Sequence, residues 1–189
     1  MKSCEGALIA LGGNMPSFVG TPEATLQAAL KDLRERGVRV DAVSRFYHTP
    51  CFPAGAGPDY VNAAAQVSHD GPPQDLLTLL HQVEAIYGRD RVQRWGQRTL
   101  DLDLLAVGDL VLPDLAGFHA WHALPAEDQK MRAPDDLILP HPRLQDRAFV
   151  LVPLADVAPG WRHPVLGLNV SEMCAALSPE DVTAVRPLT

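Results

Sequence analysis

Two aspartates separated by a single leucine, Asp101 and Asp103, stand in the run Thr99-Leu100-Asp101-Leu102-Asp103-Leu104-Leu105. In an extended chain successive side chains point to opposite faces. Both carboxylates then share one face, with alpha carbons roughly 6.5 to 7 Å apart, while Leu100, Leu102 and Leu104 share the other. A helix would put the two carboxylates on nearly opposite sides, so the leucine alternation favours a strand. Hard oxygens converging on a rigid strand suit Mg²⁺, which takes one or two protein carboxylates and fills its shell with water and phosphate oxygens. Two such ions can clamp a polyphosphate during in-line displacement. An isolated Asp-x-Asp is equally compatible with a solvated surface pair, and the neighbouring charges shift the balance. Arg89, Arg91, Arg94 and Arg98 place four of the 16 basic residues within ten positions. Their guanidinium forks match phosphate oxygens and stay charged at any working pH. Taken alone, Arg89 reads as surface charge and Trp95 as a core anchor.

A second group is Tyr60 and Asn62, which project together from an alternating segment. An aromatic face beside an amide that both donates and accepts is what recognition of a flat heterocycle requires, although ordinary packing explains such a pair as well. A third group, His141, Arg143, Arg147 and Phe149, follows Pro140, and a lone histidine there reads as structural. His119 and His122 have the spacing of a zinc pair on a helix but no third ligand nearby, so a zinc site is not expected.

The elements that must position these groups follow from periodicity. Ala7 to Leu11 is a short buried strand ending at Gly12 and Gly13. Thr21 as N-cap, Pro22 at the first helical position, the Leu26, Leu30, Leu33 stripe and Gly37 as C-cap define a helix. Val38 to Phe46 reads as a strand, Thr49 to Pro58 as a loop, and Tyr60 to Ser68 as a strand with one polar, reachable face. Gln74 to Tyr87 is an amphipathic helix closed by Gly88. Thr99 to Val107 is a strand, followed by an insertion-like region over about 109–137. The tail reads as a short strand near Phe149 to Leu151, a helix around Ser171 to Leu177 and an extended segment near Val182 to Val185. The expected fold class is α+β: a ferredoxin-like, mostly antiparallel sheet covered by helices in three layers, in one domain over 1–189. Such a sheet hosts many unrelated chemistries, so function must come from the site.

With 189 residues, a hydrophobic fraction of 47% and a charged fraction of 21%, the chain can bury a core of its own. Its net charge of -7 excludes partners held by broad attraction, such as duplex DNA or an anionic membrane. Cys4, Cys51 and Cys174 lack paired spacing and fit a reducing, cytoplasmic setting. No stretch is long and apolar enough to span a bilayer.

Several blocks together resemble the 6-hydroxymethyl-7,8-dihydropterin pyrophosphokinase family. They are Ala10-Leu11-Gly12-Gly13-Asn14, Ser44 to Pro50, Tyr60-Val61-Asn62, Glu84 to Leu105, and Leu139-Pro140-His141-Pro142-Arg143 through Arg147 to Leu154. The stretch Arg94-Trp95-Gly96-Gln97-Arg98-Thr99-Leu100-Asp101-Leu102-Asp103 is the most specific of them. The resemblance implies transfer of pyrophosphate from ATP to a pterin hydroxymethyl group, with Asp101 and Asp103 holding two Mg²⁺ ions. It implies that Tyr60 and Phe149 sandwich the pterin while Asn62, Thr49, Pro50 and Phe52 contact its polar edge. Glu84, Arg91, Arg98, Leu104, His141 and Arg147 fall at ATP-contacting positions. Arg89 falls in a catalytic loop, and Trp95 on a loop that closes over both substrates. The implied partners are small molecules alone, with no nucleic acid, no membrane and no obligate protein partner. Three departures stand out: Gly13 where the family usually has Ser, Gln97 where it has Pro, and His81 where some relatives have Gln. A two-metal nucleotidyltransferase remains a rival reading of the aspartates, and an RNA-binding module is opposed by the acidity.

Overall fold

The computed structural model describes residues 3–51, 57–88, 98–125, 128, 134 and 136–188. The chain runs β1 (Cys4–Gly13), α1 (Pro22–Glu35), β2 (Arg39–Val43), β3 (Tyr47–Thr49), β4 (Tyr60–His69), α2 (Pro73–Ile86), β5 (Asp101–Val107) and α3 (Leu115–His122). It continues through α4 (Ala148–Val157), α5 (Val170–Ala176), α6 (Pro179–Ala184) and β6 (Arg186–Pro187). Among the described residues the strands form one sheet in the order β5-β1-β4-β3-β6, with β2 also on β4, and every pairing is antiparallel. This is the expected α+β architecture.

The first helix forms where its signals lie. The Thr21 side chain accepts from the Ala24 amide, Pro22 opens the helix, and Gly37 takes a φ of 86° just past its end. Leu26, Leu30 and Leu33 then meet Leu76, Leu80 and Val83 of α2 over one face of the sheet, on Ile9, Leu11, Ala63, Ala65, Leu102 and Leu104. The opposite face packs Leu8, Ala64, Leu105 and Ala106 against Val150, Leu151 and Leu154 of α4 and Met173 of α5. The sheet is therefore a middle layer between two helical ones.

Four expectations need correction. Phe149 to Leu151 is the first turn of helix α4, not a strand. Val182 to Val185 belongs mostly to helix α6, capped by Ser178, and the terminal strand is Arg186–Pro187, paired to Tyr47 and His48. The expected strand over Val38 to Phe46 is shorter, Arg39–Val43 paired with 65–68 of β4, and a separate strand not expected from sequence, Tyr47–Thr49, follows it and pairs with 60–62. The polar face expected on β4 is largely covered, with Asn62 7% exposed and Ala64 fully buried.

The described part of the 109–137 region is tied down at two points. Leu112 and Leu139 exchange both main-chain hydrogen bonds, at 2.9 and 3.1 Å. Phe118 of α3 is fully buried beside the His163 ring, 5.6 Å between centroids. Among the described residues no helix is long and apolar enough to cross a membrane.

Candidate active site

The sheet register brings the site together. Asp101 lies opposite Gly12, Gly12 opposite Asn62, and Asn62 opposite Tyr47, while Asp103, Ala10 and Ala64 form the next row. Leu100, Leu102 and Leu104 are buried on the α1–α2 side, so both carboxylates face the α4 side, as the alternation requires. Beyond them the register shifts: Ile9 pairs Leu104 but Leu8 pairs Ala106. Leu105 is the extra residue of a bulge, and its carbonyl accepts the His141 amide at 2.7 Å. The irregularity in the strand is thus what anchors His141 beside the aspartates.

Glycine matters at Gly12 because of what crosses it. A Cβ there would lie 2.8 Å from the Asn62 Oδ1, so the bare backbone gives that amide its place. The Asn62 Nδ2 donates to the Thr49 Oγ1 at 2.5 Å, and Thr49 is 6% exposed. Tyr60 is half-buried, and burial raises its phenol above the ordinary value, opposed by the nearby Arg98 charge. Pro50, next to Thr49, is exposed.

The charged side is equally compact. Arg98 donates through its Nη1 to the Asp101 Oδ2. The Arg147 guanidinium is pulled down by burial first, with the Asp103 charge next and opposing. It also lies 5.7 Å from the Phe149 ring centroid, and Phe149 is 42% exposed. His141 is pushed down to about 3, by burial first and then by Arg147. Its Nδ1 accepts from the Arg143 amide at 3.1 Å. The ring is therefore neutral with its proton on Nε2, a hydrogen-bond donor and not an acid.

Two candidate residues stand in places their sequence did not show. Glu84 is fully buried, and its Oε1 accepts the Leu102 amide at 2.8 Å on the outer edge of β5. It therefore grips the strand between the two aspartates. Leu104 is 4% exposed in the core, which leaves its main chain, on the same strand edge as that of Leu102, as the part able to meet a ligand. Phe52, Arg89, Arg91 and Trp95 lie outside the described residues.

One residue at the site had no role assigned from sequence. Asn14, 4% exposed, accepts the Arg98 amide on its Oδ1 at 2.8 Å, and its main-chain N–H donates to the Arg98 carbonyl at 2.8 Å. The Gly12-Gly13-Asn14 turn was a visible signal for it. Gly13 explains the closeness of this strap, since a Cβ there would come within 2.5 Å of the Thr99 carbonyl oxygen. The departure from Ser at this position therefore has a geometric counterpart.

The donor set fits magnesium. Two carboxylates face one side of β5, and among the described residues no group of three or more His, Cys, Asp and Glu side chains forms a closed metal site. An open pair of this kind leaves the rest of the shell to water and phosphate oxygens.

Fold and site together define a class: a single-sheet α+β protein with a carboxylate and guanidinium cluster suited to phosphate chemistry beside a buried amide and a half-buried tyrosine. The profile of the 7,8-dihydro-6-hydroxymethylpterin-pyrophosphokinase (HPPK) family matches residues 8–159, and the chain belongs to that family. It is 34% identical over 188 residues to a 2-amino-4-hydroxy-6-hydroxymethyldihydropteridine pyrophosphokinase of Synechocystis, covering 99% of this chain and 82% of the relative. It is 38% identical over 176 residues to the enzyme of the same name from Pseudomonas aeruginosa, covering 92% and 93%. Among solved structures, wild-type Plasmodium falciparum HPPK-DHPS is similar in fold, with a TM-score of 0.61 at 13% identity. That match covers 93% of this chain and 45% of the Plasmodium chain, so this chain spans under half of the latter's length.

Proposed function

We propose that this protein transfers pyrophosphate from ATP to the hydroxymethyl group of 6-hydroxymethyl-7,8-dihydropterin, giving AMP and the pterin diphosphate, a step of folate biosynthesis. The observation that carries the proposal is the shared row of the sheet. Asp101 and the Asn62–Thr49 pair are separated only by Gly12, so a metal-held polyphosphate and a flat heterocycle would meet across one bare strand position.

The hydroxymethyl oxygen attacks the β phosphorus, the bond from that phosphorus to the α–β bridging oxygen breaks, and AMP departs with the bonding pair. The hydroxyl proton leaves to solvent. Transfer of this kind needs alignment and charge neutralisation more than covalent help. Asn62 and Thr49 offer an amide and a hydroxyl to the heterocycle's polar edge, and Tyr60 and Phe149 offer ring faces. Arg98 and Arg147 bring fixed positive charge to the side where phosphate charge accumulates. The neutral His141 presents an Nε2 donor to the same region. Asp101 and Asp103 would hold two Mg²⁺ ions, which offset triphosphate charge and lower the pKa of the attacking hydroxyl.

Incubation with Mg²⁺, ATP and the hydroxymethyl dihydropterin tests the proposal. AMP and diphosphorylated pterin are expected. ADP would indicate a simple kinase, and free pyrophosphate a nucleotidyltransferase. Asp101→Ala and Asp103→Ala should each stay folded and lose turnover by on the order of a hundredfold or more. Near-normal turnover in either folded variant removes the metal assignment.

A further inference from the structure

Between the nucleotide side and the pterin side of the proposed site lies one buried amide, that of Asn14. On one side its Oδ1 accepts from the Arg98 main chain at 2.8 Å, and Arg98 in turn pairs with Asp101. On the other side its Nδ2 donates to the Pro58 carbonyl at 3.1 Å, two residues before Tyr60. Pro58 belongs to a stem that is itself pinned: the Asp59 carboxylate accepts the Cys51 amide at 3.0 Å and meets His48 at 3.2 Å. Cys51 follows the Thr49-Pro50 pair by one residue. The main chain of the turn adds two fixed bonds to the Arg98 carbonyl, from Asn14 at 2.8 Å and Met15 at 3.1 Å. Gly13 presses against Thr99 too closely for a side chain.

A side chain this buried that spends both ends on main-chain atoms of two different segments fixes their separation. Here the segments are the one that leads into Asp101 and Asp103, and the one that carries Tyr60 and, through Asp59, Thr49. From this geometry we propose that Asn14 is a positioning residue, which touches neither substrate but sets the register between the transferred phosphate and the accepting hydroxymethyl group through Arg98 and Pro58. The inference rests on the pyrophosphokinase reading above. It reaches beyond that reading by assigning the alignment of the two half-sites to one amide.

Alignment is read in the chemical step, not in the binding of either substrate. Each half-site keeps its own contacts when Asn14 is changed, while the distance between them is released. In Asn14→Ala both side-chain bonds go and the two main-chain bonds to Arg98 remain. In Asn14→Asp the acceptor for the Arg98 amide is kept, but an oxygen replaces the donor to Pro58 and repels its carbonyl.

The test measures single-turnover rate constants and the KM for ATP and for the dihydropterin in the parent and both variants, with thermal melting of each. Both variants should lower the single-turnover rate by about tenfold or more, the scale of a lost buried hydrogen bond. Each KM should stay within about threefold of the parent, because binding contacts are intact. A folded variant with a parental rate overturns the proposal. So does a rate loss accompanied by equal increases in both KM values, which marks a general structural role. If Asn14→Ala melts below the assay temperature, Asn14→Asp decides alone by the same criteria. If the parent itself makes no AMP and no pterin diphosphate, it is the pyrophosphokinase reading that fails.

Discussion

A carboxylate with no exposed surface is costly unless it is held, and Glu84 is held by the strand it serves. Its Oε1 takes the Leu102 amide, which points outward from β5, an edge strand among the described residues. Glu84→Ala should therefore cost about 2 kcal/mol of stability, the scale of a buried donor left unmade. Glu84→Gln keeps an acceptor and should cost far less. Urea unfolding of both separates the cases, and equal losses would contradict the role of Glu84 as a strand clamp. At this scale the sequence was most readable where side-chain type and alternation spoke together, as at Asp101 and Asp103 between leucines. It was least readable where a polar residue serves main-chain atoms far away in the chain. Asn14 and Glu84 find partners 84 and 18 residues distant, and nothing local in the sequence records those meetings.

Helix α4 shows why some elements escaped periodicity. Phe149-Val150-Leu151-Val152 is a continuous apolar run with two β-branched residues, which has the pattern of a buried strand. Pro153 lies inside the helix, where proline ordinarily argues against one. The run forms a helix because it is covered on several sides: Val150, Leu151 and Leu154 meet the sheet and α5, while Val152 meets the cluster around Tyr47. Tertiary burial overrode local pattern. By contrast α1 carried cap, proline, stripe and terminal glycine together, and its limits were legible. The far end of α4 is fastened to the sheet by Asp156, which accepts from the Arg45 amide at 3.1 Å, the Arg45 guanidinium at 3.0 and 2.7 Å, and the Tyr47 hydroxyl at 2.8 Å. The Arg45 hydrogen bond is the main cause that holds this carboxyl below its ordinary value. Its stabilisation is present above the unfolded carboxyl range and lost as pH falls through the lower folded value. Asp156→Ala should cost about 2 kcal/mol, since it strands the Tyr47 hydroxyl and the Arg45 amide. A melting temperature unchanged in that variant would rule out the fastening.

At the scale of the whole molecule, burial between the layers opposes proton uptake, and His163 shows it. It is fully buried, and its Nδ1 accepts the Val165 and Leu166 amides at 3.2 Å each. The ring sits among Phe118, Trp161 and the neighbourhood of His122. Burial first, and the His122 charge second, push it down from 6.5 to about 4. An unfolded chain takes up this proton near 6.5 while the folded one refuses it until about 4. Stability should therefore be full above the unfolded value and decline as pH falls from about 6.5 towards 4. From pH 7 to 5 the loss through His163 should be about 2 kcal/mol. His163→Asn can keep an acceptor for the two amides without titrating, and should remove this share of the decline while the share due to the similarly depressed His141 remains. Urea midpoints at pH 7, 6 and 5 measure it, and parallel slopes in parent and variant would exclude the histidine as its source.

The same side of the molecule holds the pair Leu112 and Leu139, whose reciprocal hydrogen bonds close the chain on itself just before His141. The described residues between those two leucines form a side branch, closed at its base by this knot and packed back on the body through Phe118 beside His163. The path from Asp103 to His141 through space is set by the knot and by the Leu105 bulge, not by the number of residues threaded along the branch. Residues can therefore be added to or removed from that branch away from Phe118 without disturbing the spacing of the residues that face the phosphates. Chain length and active-site geometry are here independent variables.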